Sequence, residues 1–455
     1  MSSSPVHVKE VVLITPSQPT PNHTLQLSAL DSQLFVRFTF EYLLVYEPCH
    51  GFDRAAIKNN VKLALGRALV PYYPLAGRVR TRADGLGLEV VCRAQGAVFI
   101  DAVSDCTVSE FEEGPKRRGQ WRNFLSLHVE DVLKGGPPLV VQLTWLSDGG
   151  ATLAVGFNHC LCDGTGSGEF LNSFAKLAMG NRGLTELKSK SVWSRHLLDR
   201  TGLTDPLGHP EFKSVPDLCG FTSRYAREQL TPTCVAFDEK RLNELKKLTK
   251  LTSTSFEVLS AHVWRRWARA LKLPSNQIVK LVFSVNIRTR VDPVLPSGYY
   301  GNAFVLGCAC TSAGDLSDKG LRYAVELVMK AKESVGNEYV REVVELVSST
   351  RASVVDPAGV LIMTQWSRLG LDSVDFGIGK PVQVRPVCCD EHCILLPICG
   401  VASGIKVNLT VPSKRGSTAA KKHVEDRDGI GNSKSSWDPI PHKDKTESDD
   451  DETVV

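Results

Sequence analysis

Residues 151–180 read ATLAVGFNHCLCDGTGSGEFLNSFAKLAMG. The run Ala151 to Phe157 is apolar and short, the mark of a buried strand. It ends at Asn158, and a turn from His159 to Gly168 follows, carrying Gly164, Gly166 and Gly168. Beyond it, Phe170, Leu171, Phe174, Leu177 and Ala178 recur at helical spacing. A buried strand that opens through a glycine-rich turn into an amphipathic helix is a unit of α/β architecture. It also presents His159 at the end of the strand, a common place for a reactive side chain.

The same mixture recurs on both sides. Upstream, Val8 to Ile14 reads as a strand, broken by Pro16, Pro19 and Pro21. Leu34 to Val45 is strand-rich, and Ala55 to Ala68 has helical periodicity. Short strands are predicted at Leu88 to Cys92 and Val98 to Asp101. Leu139 to Leu146 and Ala151 to Phe157 form a predicted hairpin turned at Asp148-Gly149-Gly150. From Glu186 to Ser223 periodicity is lost, which marks a crossover. Thr233 to Phe237 then begins a second half. Helices are predicted at Glu239 to Thr249, Ser255 to Leu271, Leu321 to Glu333 and Val340 to Ser349. Strands are predicted at Val279 to Val285, Val360 to Trp366, Cys393 to Ile398 and Gly404 to Val411. The expected division is residues 1–190, a crossover at 191–225, a second domain at 226–411, and a polar, disordered tail at 412–455.

Bulk properties agree with two domains of roughly 200 residues each. The chain has 455 residues, 42% hydrophobic and 23% charged, so large cores are available. A net charge of +4 with no basic stripe argues against a nucleic-acid partner. Met1 to Val12 carries no apolar signal-peptide core, and no apolar run reaches the roughly 20 residues of a membrane helix. A cytoplasmic protein with no membrane span is expected. The 13 cysteines are odd in number and scattered, as reduced thiols would be.

Histidine is the natural base near neutral pH. A lone histidine after a strand is nevertheless more often a satisfied core residue, and Asp163 beside it adds only a little. His159, Cys160 and Cys162 are also soft-metal ligands. No second cysteine pair stands at zinc-site spacing, so no metal is expected. Cys388, Cys389, His392 and Cys393 read as strand-core residues for the same reason.

A set of ordered stretches raises the catalytic reading. His159, Asp163 and Gly164 match His-x-x-x-Asp-Gly at a strand end. Asp375-Phe376-Gly377-Ile378-Gly379 nearly matches Asp-Phe-Gly-Trp-Gly. Leu27 to Asp31, Tyr72 to Arg78, Ser255 to Arg265, Asn286 to Arg290 and Leu295 to Asn302 follow suit. In these stretches the chain resembles the plant BAHD acyl-CoA-dependent acyltransferases from about residue 8 to residue 411.

The resemblance implies two similar chloramphenicol-acetyltransferase-like domains with mixed sheets and a channel between them. It implies His159 as general base, acting without an acyl-enzyme, and Asp375 as a second catalytic candidate. Asp163 is then structural and pairs with Arg288, while Gly164, Gly377 and Gly379 support the site. Thr254, Ser255, Ser284, Asn286 and Arg290 fall in segments that line the acyl-CoA pocket. Thr364, Trp366 and Arg368 are candidates for the oxyanion or the acceptor. Acyl-CoA is a co-substrate, so no cofactor is expected. The partners are the acyl donor and a small hydroxyl acceptor, and the protein is expected to be a monomer.

Local likeness around Trp366 to Gly370 points to the ω-hydroxypalmitate feruloyltransferase and fatty-alcohol caffeoyltransferase branch. Shikimate, quinate or an amine is the alternative acceptor. A binding or regulatory protein that has lost turnover is the competing reading. It rests on Ile378 in place of tryptophan and on a tail where relatives close with a helix. The intact His159 to Gly164 motif favours catalysis.

Overall fold

The computed structural model describes residues 6–48, 51, 53–112, 119–180, 191–199, 202, 209–221, 223, 230–349, 358–388 and 392–412. The expected tail beyond Pro412 and much of the expected crossover lie outside the described residues.

The first half supplies eight strands: β1 (Val6–Ile14), β2 (His23–Gln26), β3 (Thr39–Tyr46), β4 (Arg78–Thr81), β5 (Leu88–Cys92), β6 (Ala97–Ser104), β7 (Leu139–Trp145) and β8 (Ala151–Asn158). Its helices are α1 (Ala29–Ser32), α2 (Arg54–Ala68) and α3 (Gly164–Ala178). The second half adds β9 (Leu230–Phe237), α4 (Glu239–Thr249), α5 (Ser255–Ala270), β10 (Ile278–Asn286) and β11 (Phe304–Ser312). It continues with α6 (Ala313–Asp318), α7 (Gly320–Glu333), α8 (Asn337–Ser349), β12 (Val360–Gln365), β13 (Gln383–Pro386), β14 (His392–Pro397) and β15 (Ile405–Pro412).

Two six-stranded sheets result, ordered β1-β6-β7-β8-β3-β13 and β11-β10-β12-β14-β15-β9. Both are mixed: β6 runs parallel to β7 in the first, and β12 runs parallel to β10 and β14 in the second. Every residue of β7 and β8 is buried, which is why their sequences run apolar instead of alternating. The helices begin where side chains cap them. Thr254 and Glu257 form a reciprocal capping box at α5, and Asp163 caps α3.

The structure departs from the sequence pattern most consequentially in three places. Leu34–Val36 is a short 3-10 turn, and the strand starts only at Thr39. β11 was not anticipated, because glycine and cysteines interrupt its apolar pattern. β13 lies between 226 and 411 in sequence but pairs with β3 in the first sheet. The second half therefore lends a strand to the first, an exchange that a contiguous division of the chain does not contain. Among the described residues, no helix is long and apolar enough to cross a membrane.

The first turn of α3 packs on the loop after β12. A Cβ at Gly168 would lie 2.4 Å from the Leu369 carbonyl oxygen, a backbone atom that cannot swing away. Gly168→Ala should therefore destabilise the fold by about 1–3 kcal/mol, as overpacked interiors do. Urea unfolding checks this, and an unchanged midpoint would contradict the close packing.

Candidate active site

A cavity of about 740 Å³ is lined by both halves of the chain. His159 reaches it from the end of β8. Phe38, Phe40 and Phe304 surround its imidazole, with ring centroids 4.8–5.6 Å away. Burial among these rings pushes the His159 pKa below the ordinary histidine value. Its own carbonyl, Asp163, Asn302 and Asp31 oppose that shift.

Hydrogen bonding fixes the tautomer. The Asn302 side-chain nitrogen lies 2.7 Å from the His159 carbonyl and 2.8 Å from Asp31 Oδ1, both obligate acceptors. The amide oxygen must then be the atom 2.9 Å from His159 Nδ1. So Nδ1 carries the proton and donates it to Asn302. Nε2 keeps its lone pair, and no protein group bonds it among the described residues.

Asp163 turns away from the imidazole. Its Oδ2 accepts from Arg288 Nη1 at 2.8 Å and from the Ala303 amide at 3.1 Å. Its Oδ1 accepts from Arg288 Nη2 at 3.1 Å and from the Gly166 amide at 3.0 Å. Burial raises the Asp163 pKa, but Arg288 and the amide donors outweigh it and leave the pKa low. Gly164 packs beside Leu369 at the mouth of the turn. Cys160 and Cys162 are fully buried, and burial pushes both thiols up to about 12. They are protonated at neutral pH, which removes them as nucleophiles.

Thr254, Ser284, Asn286, Arg290, Thr364, Trp366 and Arg368 also line the cavity. Ser255, the first residue of α5, and Arg288, the partner of Asp163, are not part of its lining. Arg290 donates to the carbonyls of Lys332 and Val335, which fixes its guanidinium in the wall. Trp366 packs edge-on to Tyr42, with centroids 4.6 Å apart. Arg368 has no hydrogen bond or ion pair among the described residues.

Asp375 stands apart from the cavity wall. Its Oδ1 accepts the amides of Gly377 and Gly379 at 2.7 and 3.1 Å. Both glycines have φ near +90°, which suits them to this turn. The carboxylate thus builds a turn that Phe376 anchors to Phe174 of α3. Ile378 is buried in the same cluster.

Sequence reasoning did not single out Asp31, Arg195 or the ring wall of Phe38 and Phe40. Asp31 and Asn302 sit inside stretches that carry the family likeness. Arg195 lies in the aperiodic crossover and has no sequence signal.

The Transferase family model matches residues 4–423 of the chain. The ω-hydroxypalmitate O-feruloyl transferase of Arabidopsis thaliana is 34% identical over 86% of this chain and 86% of its own length. The taxadien-5-α-ol O-acetyltransferase of Taxus chinensis is 33% identical over 90% of this chain and 93% of its own. TRI101 of F. graminearum, crystallised with ethyl coenzyme A, superposes with a TM-score of 0.73 at 15% identity, covering 88% and 98% of the two chains.

Removing the Asp163 carboxylate would strand the Arg288 charge, which is largely buried. Asp163→Ala should cost about 3–5 kcal/mol of stability, read by urea unfolding. The native pKa of Asp163 is lowered, so its stabilisation is present above the ordinary carboxylate range. It is lost as pH falls through the lowered value. Wild type should lose stability on that descent, and Asp163→Ala should lose less.

The family match and the close relatives, spanning nearly the whole chain, show that it belongs to the Transferase family, the plant BAHD acyltransferases.

Proposed function

We propose that the protein transfers a hydroxycinnamoyl group, of feruloyl or caffeoyl type, from CoA to an aliphatic hydroxyl. The acceptor is an ω-hydroxy fatty acid or a fatty alcohol. The observation that carries this reading is the unbonded Nε2 of His159 in a ring-walled channel reached from both halves. The feruloyl-transferring relative supports the choice of acyl group, and planar rings suit a wall of phenylalanines. An equally similar relative transfers acetyl, so acetyl-CoA belongs in the test.

In the proposed step, the acceptor hydroxyl attacks the thioester carbonyl while Nε2 takes its proton. A tetrahedral oxyanion forms, with Thr364 and Trp366 as candidate donors. Its collapse breaks the C–S bond and expels CoA thiolate, which recovers the proton from the imidazolium. The acyl group never rests on the protein. Thr254, Ser284, Asn286 and Arg290 hold the CoA side. Arg368, unpaired among the described residues, meets the acceptor carboxylate, which a guanidinium can grip bidentately. Asp375 supports its turn and takes no part in proton transfer. We place the protein in the cytoplasm as a monomer, with one domain before the crossover and one after it that lends β13 to the first domain's sheet.

Thiol release should be followed with feruloyl-, caffeoyl- and acetyl-CoA against long-chain alcohols, ω-hydroxy acids, shikimate and amines. His159→Ala should abolish release, and equal release by wild type and variant would sink the mechanism. The base must be neutral to act. With its pKa lowered, the acid limb of kcat/KM should lie below the ordinary histidine value. A limb above that value would contradict the burial argument. Arg368→Ala should raise KM for ω-hydroxy acids and leave it unchanged for matched alcohols. An unchanged KM for the acids would remove Arg368 from the acceptor site.

A further inference from the structure

Asp31 is completely buried and lies behind Asn302, away from the channel. Its carboxylate accepts five hydrogen bonds. Ser28 supplies its backbone amide at 3.0 Å and its hydroxyl at 2.6 Å to Oδ2. Asn302 supplies its backbone amide at 2.9 Å and its side-chain amide at 2.8 Å to Oδ1. The fifth is Arg195 Nη1, 2.5 Å from Oδ2.

Arg195 belongs to the crossover and is 2% exposed. Its Nη2 donates at 2.8 Å to the carbonyl of Leu161, inside the His159 to Gly164 turn. Its Nε has no partner among the described residues. The cavity around the guanidinium is shaped for it. A Cβ at Gly301 would lie 2.3 Å from Nη1, so only glycine leaves it room. Trp193 stacks on its other side, 5.5 Å from ring centroid to guanidinium. One arginine thus grips the carboxylate behind the base and the backbone of the catalytic turn.

We propose that Arg195 and Asp31 are positioning residues that set the proton affinity of His159 through Asn302. This rests on the reading of His159 as the general base. Asp31 places a negative charge two hydrogen bonds from Nδ1, where it favours the imidazolium. Arg195 offsets that charge. The pair fixes the Asn302 amide, and with it the tautomer, while keeping His159 from becoming too strongly protonated. Other charged groups lie around the ring, among them Glu41, Arg290, Lys332 and Arg368 in the cavity wall. Asp163, neutralised by Arg288, lies on the turn itself. Arg37 is held on the Ser32 carbonyl near Cys160. His392 lies beyond Phe38. None of these changes in the variants below.

The arrangement predicts shifts of opposite sign. Arg195→Gln leaves the Asp31 charge uncompensated, so the acid limb of kcat/KM moves up by about one pH unit. Asp31→Asn leaves the Arg195 cation uncompensated, so the limb moves down by a similar amount. Arg195→Lys keeps the charge but loses the fork to Leu161, so kcat falls while the limb stays in place. Urea midpoints, measured alongside, identify any variant that fails to fold, and Arg195→Lys then carries the charge-retention arm. If Arg195→Gln and Arg195→Lys both lower kcat with the limb unmoved, the role is only structural and the proposal fails. If His159→Ala retains activity, the general-base reading fails instead.

Discussion

The carboxylate of Asp163 answers four donors from both halves of the chain. It caps α3 through Gly166, takes both ends of the Arg288 fork, and receives the amide of Ala303. Buried and paired, it joins the turn after β8 to the segment between β10 and β11. That junction brings His159 and Asn302 together although 143 positions separate them in sequence. Without it, the His159 imidazole would lose the amide that orients it. The interaction is costly to break, because either partner alone is a stranded charge in a region with little water.

A second constraint follows from dryness. The rings around His159 remove water from the imidazole and weaken its hold on a proton. The same burial keeps Cys160 and Cys162 protonated. One environment therefore leaves a neutral imidazole and disarms the neighbouring thiols. That combination suits direct transfer between two substrates better than transfer through a protein nucleophile.

Much of this was legible in the sequence. α7 and the segments around β7 and β8 stand out because their apolar patterns are long and regular. β11 did not, since Gly307, Cys308 and Cys310 dilute its pattern, and β13 is four residues long and ends in proline. Its place beside β3 is a tertiary fact that no local pattern carries. At the site, His159 and Asp163 could be found because they sit four apart in one turn. Asp31, Arg195 and Asn302 could not be grouped, because the hydrogen bonds that join them span 164 positions for Arg195 and Asp31 and 271 for Asn302 and Asp31. Asp375 sits in a recognisable motif, yet its carboxylate is spent on the turn that the motif builds.

His159 stands in the channel with Nδ1 protonated and Nε2 free. Nitrogen-15 NMR of the protein labelled only at histidine tests this directly, with the His159 signals assigned by their loss in His159→Gln. A protonated, pyrrole-type Nδ1 and an unprotonated, pyridine-type Nε2 are expected at neutral pH. A proton on Nε2 instead, with Nδ1 bare, would contradict it.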